Sequence, residues 1–252
     1  MNIREYAFRF AITVVLLPLA VGCSKRTISP QDMYEEEIAN EVSSNNDTID
    51  SGSIRYLALG DSYTVGASVA PTANFPSQLS VALQKELDKN VELQIIATSG
   101  WRTDNLLNAL DKTPASVSYG LVTLLIGVNN QYQGTPFSTY ETEFTELFNR
   151  ALVLAGGDTD RLVIVSIPDW GYTPFGESFD RAQISAEIDA YNSFAERTAV
   201  EFDVAFIDIT DITRRGLQET ELVASDNLHP SGHAYKLFVD RLAPIIVSQL
   251  KN

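Results

Sequence analysis

The sequence predicts an α/β domain built on a mostly parallel sheet of five strands, with helices on both faces. Five apolar segments of four to seven residues alternate with amphipathic segments between residue 54 and the end of the chain. This alternation is typical of parallel sheets, and right-handed crossovers between parallel strands leave few topologies. About 200 residues follow the N-terminal region, which is enough for one domain with a sizeable core.

The strands are predicted from apolar runs, and two of these runs are apolar without interruption. The runs at 121–126 and 162–167 indicate strands that are covered on both faces, because a half-exposed strand alternates polar and apolar residues. The run at 91–97 alternates first and then turns fully apolar, which is typical of a strand that enters a core. The predicted strands are residues 55–59, 91–97, 121–126, 162–167 and 204–207.

Five helices are predicted from apolar residues spaced three or four apart. Asp180 favours a helix start because its carboxylate can accept a hydrogen bond from the first turn. The last helix carries Pro244, which predicts a kink or a break. Its inward side is predicted to include Tyr235, Phe238, Leu242, Ile245 and Ile246. The predicted helices are residues 75–87, 104–110, 140–154, 181–202 and 232–250.

The N-terminus is typical of a targeting segment. Two arginines precede an apolar stretch at 10–21, whose length suits a signal peptide better than a membrane span. Small residues lead into Cys23, which is the one cysteine of the chain. This pattern resembles a bacterial lipobox and predicts lipidation of Cys23. The alternative is an ordinary secretory signal or a short membrane anchor with an incidental cysteine.

These features predict three segments and a location. Residues 1–22 form the signal peptide, 23–53 form an acidic tether, and 54–252 form the folded domain. A lipid anchor would hold the domain at the bacterial cell envelope, and Ser24 favours the outer membrane. The net charge of −15 and the pI near 4.4 argue against nucleic-acid binding and against polyanionic substrates. The lipid anchor is the only predicted contact with a membrane.

Two histidines, His229 and His233, limit the choice of a base that works at neutral pH. Asp226 lies three residues before His229, so a turn can bring the carboxylate beside the imidazole. That contact would fix the tautomer and leave the other ring nitrogen free to accept a proton. The alternative is a loop histidine beside a capping aspartate. His233 falls inside the last helix and is expected to pack or cap.

Ser62 is the candidate nucleophile because it directly follows the first predicted strand. A serine just past a buried strand lies at the sheet edge, where a base can reach it. Gly100 follows the second strand and Asn129 the third. Their backbone N–H and side-chain amide, together with the Ser62 N–H, would stabilise an oxyanion. Taken singly, Gly100 and Asn129 are more simply explained as turn residues, and a Gly-Asp-Ser turn after a strand also occurs as a plain helix cap.

Four short motifs follow the predicted strands or precede the last helix. They are Gly60-Asp61-Ser62-Tyr63, Ser99-Gly100, Gly127-Val128-Asn129-Asn130 and Asp226-Asn227-Leu228-His229-Pro230. With these motifs the chain resembles the SGNH/GDSL hydrolase family over residues 54–250. The resemblance implies a catalytic triad of Ser62, His229 and Asp226, and an oxyanion hole formed by the Ser62 N–H, the Gly100 N–H and the Asn129 side chain. It also implies a flavodoxin-like three-layer α/β/α sandwich, with no metal and no cofactor.

The chain departs from the family pattern at two positions. Asn130 stands where the third motif usually has an aspartate, which predicts altered support of the loop rather than loss of activity. Thr98 stands where the second motif often has an asparagine, two residues before Gly100. This second departure bears on local hydrogen bonding and leaves the role of the glycine intact.

The resemblance implies hydrolysis of carboxylic esters through an acyl-enzyme. No long apolar insertion indicates a lid, so short acyl esters, such as acetyl groups on carbohydrate, are favoured over long-chain lipids. The alternatives are a lysophospholipase or thioesterase on the same scaffold, and a non-catalytic glycan-binding surface lipoprotein. Four residues near the motifs are candidates to line a substrate site: Trp101, Gln131, Tyr132 and Trp170. The 169–175 loop is rich in aromatic residues, which would alternatively pack the loop onto the domain.

Overall fold

The computed structural model describes residues 52–113 and 118–251, which form one five-stranded sheet with the order β2-β1-β3-β4-β5. Every pair of neighbouring strands is parallel. The predicted parallel sheet is therefore confirmed. The strands are β1 (Ser53–Gly60), β2 (Asn90–Ala97), β3 (Leu121–Leu125), β4 (Leu162–Val165) and β5 (Ala205–Ile207).

The helices pack in two groups. One group is α2 and α8, and the other is α3, α5 and α6. With the sheet they form a three-layer α/β/α sandwich. The five long helices begin and end within a few residues of their predicted limits. Three further helices are short. The helices are α1 (Ser62–Val65), α2 (Phe75–Leu87), α3 (Thr103–Leu110), α4 (Val128–Tyr132), α5 (Phe137–Leu154), α6 (Arg181–Glu201), α7 (Thr210–Thr213) and α8 (Gly232–Leu250).

The burial of a strand depends on whether it lies in the centre or at the edge of the sheet. β3 lies in the centre, and all five of its residues are buried, as its uninterrupted apolar run predicts. β2 lies at the edge, and its last three residues are only partly buried. Ile95 and Ile96 do pack against the core, as the apolar run predicts, but they are not fully buried, because an edge strand has a neighbour on one side only.

The structure differs from two expectations for α8. Of the kink or break predicted at Pro244, the structure shows no break, because the helix continues to Leu250. Leu242 and Ile246 are fully buried on either side of the proline, and their packing offsets the roughly 3 kcal/mol that an interior proline costs a helix. The prediction that Ile245 faces inward was wrong. Ile245 is 42% exposed because the helical period that buries Leu242 and Ile246 turns it toward solvent.

The predicted signal peptide, the lipidation at Cys23 and most of the acidic tether lie outside the described residues. β1 begins at Ser53, one residue before the predicted start of the domain. In the part of the chain that the structure describes, no helix combines the length and the apolar character needed to cross a membrane.

Candidate active site

The pairing register of the sheet places the candidate site residues side by side. Gly60, at the end of β1, is level with Ala97 of β2 and Leu125 of β3. Ser62 and Asn129 follow their strands within two to four residues, and Gly100 follows its strand within three. The carboxyl ends of these three neighbouring strands therefore present all three residues at one edge, as the sequence predicts.

Ser62 is the first residue of α1, and it is held there by a tight turn out of β1. Asp61 caps the helix, since its Oδ1 accepts a hydrogen bond of 2.9 Å from the Tyr63 N–H. A side chain at Gly60 would meet Thr64 Oγ1 at 2.1 Å and the Leu125 carbonyl at 2.4 Å. Only glycine therefore fits at the turn that brings Ser62 to the sheet edge.

Asp226 and His229 form a closely bonded pair in the loop before α8. His229 Nδ1 lies 2.6 Å from Asp226 Oδ2, and the His229 backbone N–H donates to Asp226 Oδ1 at 3.0 Å. The His229 ring also lies against the ring of Tyr63, with 5.0 Å between centroids. The imidazole is therefore held by the adjacent carboxylate and by the residue that follows Ser62.

The ionisation of Asp226 determines which nitrogen of His229 carries the proton. Burial raises the pKa of Asp226, but hydrogen bonds from Ser68 Oγ, from His229 and from the Leu228 N–H outweigh burial and hold that pKa well below its ordinary value. An ionised carboxylate can only accept hydrogen bonds. Nδ1 of neutral His229 therefore carries the proton, and Nε2 is left free to accept one.

Ser62 and His229 line the same cavity, although the described residues show no hydrogen bond between their side chains. Ser62 is only 4% exposed, and the His229 side chain is 14% exposed. A hydroxyl and an imidazole in this arrangement can exchange a proton once a substrate orders them, since such contacts often tighten only in the substrate complex.

Ser62, Gly100 and Asn129 line the same cavity, and each offers a hydrogen-bond donor. The Ser62 N–H belongs to the first turn of α1 and so has no acceptor within the helix. Gly100 has a φ of +83°, a left-handed conformation that favours glycine, and no hydrogen bond among the described residues uses its N–H. The Asn129 amide donates to the Trp101 carbonyl at 3.0 Å and to Asp61 at 3.5 Å.

Asp61 contacts both the turn that carries Ser62 and the Asn129 amide, through the Tyr63 N–H at 2.9 Å and Asn129 Nδ2 at 3.5 Å. Its side chain is fully buried, and this burial raises the pKa of Asp61 to about 7, although hydrogen bonds from Tyr63 and Asn129 lower it. Asp61 therefore joins the end of β1 to the loop after β3.

Asn130 supports the loop after β3 in a way that an ionised aspartate could not. It is fully buried. Its Oδ1 accepts from the Thr103 N–H at 3.1 Å, while its Nδ2 donates to Thr103 Oγ1 at 2.6 Å. The Thr103 hydroxyl then donates to Glu143. Asn130 therefore joins the loop to α3 through both ends of its amide, in line with the altered support that the sequence predicts.

A cavity of about 170 Å³ opens at Ser62. Two of the four predicted lining residues, Tyr132 and Trp170, do lie in its wall. The other two do not appear there: Trp101 packs against the core, and Gln131 is buried and accepts a hydrogen bond of 2.7 Å from the Trp170 indole. The cavity lining comprises Ser62, Tyr63, Ser99, Gly100, Val128, Asn129, Tyr132, Trp170, Phe175, Leu228 and His229.

One wall of the cavity is aromatic. Trp170 meets Tyr132 and Phe179 edge-to-face, with 5.3 and 5.1 Å between centroids, and lies 5.9 Å from Phe175. Trp170 is buried, whereas Tyr132 and Phe179 are about half exposed. The Phe175 N–H donates to the Asn227 carbonyl at 3.0 Å. The aromatic residues therefore both anchor the loop and form the surface beside Ser62, which answers the alternatives left open by the sequence.

Two polar residues that contact the site were missed by the sequence analysis as site residues. Asp61 was named only as part of a motif, and its burial next to Asn129 depends on three strands meeting. Ser68 donates to Asp226 Oδ2 at 2.7 Å from a position 158 residues earlier in the chain. No local signal marks that contact. His233 was expected to pack or cap, but it is exposed on the first turn of α8.

Comparison with known protein families gives one match. The model of the GDSL-like Lipase/Acylhydrolase family matches residues 58–237, which covers most of the chain and all of the strands except the first residues of β1. No curated protein matches the chain.

Solved structures share the fold at low sequence identity. One is the structure of a catalytic serine-to-alanine mutant of an acetylxylan esterase from Geobacillus stearothermophilus. It has 16% identity and a TM-score of 0.59 over 80% of this chain and 96% of that chain. A member of the lipolytic protein G-D-S-L family from Veillonella parvula has 17% identity and a TM-score of 0.59, over 74% and 94%. An α/β hydrolase from the metagenome of Lake Arreo, Spain, has 18% identity and a TM-score of 0.58, over 77% and 94%.

Proposed function

Because the chain belongs to the GDSL-like lipase/acylhydrolase family, we propose that it hydrolyses carboxylic esters through an acyl-enzyme formed on Ser62. The observation that carries this mechanism is the hydrogen bond between Asp226 and His229 Nδ1. It leaves Nε2 of His229 free beside the cavity that contains Ser62. A histidine oriented in this way is a general base for a serine hydroxyl.

The first half of the reaction transfers the acyl group to the protein. His229 Nε2 takes the proton of the Ser62 hydroxyl as Oγ attacks the ester carbonyl carbon. The resulting oxyanion accepts hydrogen bonds from the Ser62 and Gly100 N–H groups and from the Asn129 amide. The tetrahedral intermediate then collapses, the bond to the alcohol oxygen breaks, and His229 returns the proton to the leaving alcohol.

The second half releases the acid. His229 takes a proton from a water molecule as the water oxygen attacks the acyl carbon of the Ser62 ester. The same three donors hold the second oxyanion. Collapse then breaks the bond to Ser62 Oγ, which receives the proton from His229, and the carboxylic acid leaves. Asp226 stays ionised throughout and stabilises the imidazolium that forms in each half.

We place short acyl esters, such as acetyl groups on carbohydrate, first among the substrates. The cavity of about 170 Å³ is smaller than the roughly 300–1,000 Å³ of pockets that enclose drug-sized ligands. Its aromatic wall is formed by Tyr132, Trp170 and Phe175. Tyr132 in this wall and Phe179, 6.5 Å from Tyr132 between ring centroids, are about half exposed and offer flat apolar faces to a sugar ring.

A chain-length series tests the substrate proposal. The value of kcat/KM for p-nitrophenyl esters is expected to be highest between acetate and butyrate, and to fall about tenfold or more by octanoate, because longer chains extend beyond the cavity. Acetylated sugars are expected to be cleaved and lysophospholipids are not. Tyr132→Ala should weaken the preference for short chains by opening the wall, and Val200→Ala, 70% exposed on α6, is the matched control.

Other outcomes of this series identify the alternatives. A rise in kcat/KM toward octanoate, with cleavage of lysophospholipids, would indicate a lysophospholipase. Preference for acyl thioesters over oxygen esters of the same chain would indicate a thioesterase. Binding of glycans with no hydrolysis of any ester would indicate a non-catalytic binding module, against which the complete set of Ser62, Gly100, Asn129, Asp226 and His229 argues.

The proposal extends to where the hydrolase acts. The lone cysteine at the end of an apolar N-terminal segment supports cleavage before Cys23 and attachment of lipid to it. The acidic residues that follow would then serve as a tether between the bilayer and the domain. On this proposal the enzyme meets its esters at the bacterial cell envelope.

A further inference from the structure

The carboxylate of Asp226 has every acceptor position filled. Oδ1 accepts from the backbone N–H groups of Leu228 and His229, both at 3.0 Å. Oδ2 accepts from His229 Nδ1 at 2.6 Å and from Ser68 Oγ at 2.7 Å. A carboxylate offers about four lone-pair sites, so these four bonds fix it in one orientation. Three of the donors belong to the Asp226 loop itself, and Ser68 is the one that comes from elsewhere.

Ser68 belongs to the segment that carries the nucleophile. α1 begins at Ser62 and ends at Val65, and the N–H groups of the next two residues, Gly66 and Ala67, both donate to the Ser62 carbonyl, at 3.0 and 2.9 Å. Ser68 follows immediately. The Ser68–Asp226 hydrogen bond therefore joins the loop that holds the base to the turn that holds the nucleophile.

Ser68 has a left-handed backbone conformation, which is strained for a serine. Among the described residues, four that are not glycine have positive φ. Asp88 and Asp203 lie at the C-terminal ends of α2 and α6, where a left-handed aspartate is common. Ser68, at +63°, and Asn227, at +64°, instead lie on the two sides of Asp226. Serine is uncommon in this region, and the contact that its side chain makes there is the hydrogen bond to Asp226.

We propose that Ser68 is a positioning residue of this hydrolase. Its hydroxyl holds the Asp226 carboxylate in a fixed position relative to the turn that carries Ser62. This inference rests on the proposed function. Ser68 touches neither the ester nor the reacting atoms. It acts through Asp226, by completing the set of bonds that aims the carboxylate at His229 Nδ1 while that nitrogen holds its proton.

A structural role confined to the turn makes a different prediction from a positioning role. If Ser68 only shaped the turn, glycine would replace it well, since glycine adopts positive φ without strain. If its hydroxyl positions Asp226, glycine would keep the backbone and lose the activity. Asparagine and aspartate separate the two roles further, because both tolerate the left-handed conformation, while only asparagine can donate to Asp226.

The test measures kcat, KM and melting temperature for Ser68→Gly, Ser68→Asn and Ser68→Asp with p-nitrophenyl acetate. Ser68→Gly is expected to lose about tenfold in kcat, because a hydrogen bond to a charged group is removed, with KM within about twofold. Relief of the strain at positive φ and loss of that hydrogen bond act on the melting temperature in opposite directions, so the melting temperature should change little. Ser68→Asn should keep more activity than Ser68→Gly. Ser68→Asp should keep less, because it places a second carboxylate beside Asp226.

Ser77→Ala is the matched control, since its hydroxyl donates at 2.8 Å to the Pro71 carbonyl, away from Asp226. It should leave kcat unchanged. Wild-type kcat in Ser68→Gly, or equal activity in the asparagine and aspartate variants, would overturn the positioning role while leaving the proposed function intact. A wild-type protein with no hydrolysis that depends on Ser62 would overturn the proposed function, and this inference with it.

Discussion

Replacing Ser62 by alanine is expected to lower kcat for p-nitrophenyl acetate by about 10⁴-fold or more, which leaves only the catalysis that binding and the oxyanion donors provide. The change removes one oxygen atom at a buried position where the hydroxyl makes no hydrogen bond within the described residues. The fold should therefore persist, and the loss should fall on kcat rather than on the melting temperature. Steady-state kinetics and thermal unfolding measured on the same preparation check both expectations.

The control for this variant is Ser77→Ala, which removes a hydroxyl from α2 at a distance from the cavity. It should retain wild-type activity. A Ser62→Ala protein that hydrolyses the ester at the rate of the control would exclude Ser62 as the nucleophile.

Asp226→Asn is expected to cost about 10⁴-fold in kcat, although it preserves the shape of the side chain. An asparagine amide can donate to His229 Nδ1, which would then lose its proton to Nε2 and leave no free nitrogen to receive one from Ser62. The two backbone N–H groups can still donate to the asparagine oxygen, and Ser68 Oγ, which faces the new amide nitrogen, can accept from it, so the loop should remain in place. Measuring kcat of Asp226→Asn and Asp226→Ala at neutral pH tests this explanation, which predicts that kcat falls by a similar factor in both variants.

The low pKa of Asp226 also links this residue to stability. Because the folded protein holds the pKa of Asp226 below its ordinary value, the ionised carboxylate stabilises the fold above the ordinary carboxyl range of about 3.9. That contribution is lost as the pH falls toward the lower folded-state value. Urea unfolding should therefore show the largest difference between wild type and Asp226→Asn at neutral pH, and a shrinking difference below about pH 4. A constant difference would show that the pKa of Asp226 is not lowered.

The sheet and the five long helices could be predicted from sequence because each depends on local periodicity. The central position of β3 was evident in its apolar run, since residues covered on both faces need no polar alternation. The edge position of β2 was not, because Ile95 and Ile96 are apolar whether a second neighbour is present or absent. The continuation of α8 through Pro244 likewise depends on how Leu242 and Ile246 pack, which only the tertiary structure determines.

The candidate site could be predicted where each residue directly follows a strand. Ser62, Gly100 and Asn129 were found in this way, and the close spacing of Asp226 and His229 identified that pair. Contacts made across the fold could not be found. Ser68 reaches Asp226 only because the turn after α1 folds back, and Gln131 turns inward to Trp170 instead of lining the cavity.

An activated serine at position 62 is the basis of the proposed mechanism, and labelling with a fluorophosphonate probe tests for it most directly. The probe forms a covalent bond with a serine oxygen that a neighbouring base has activated. Mass spectrometry of the digested wild-type protein is expected to find the adduct on Ser62, with no labelling of Ser62→Ala and strongly slowed labelling of Asp226→Asn. An unlabelled wild-type protein, or an adduct on another residue that persists in Ser62→Ala, would contradict the account.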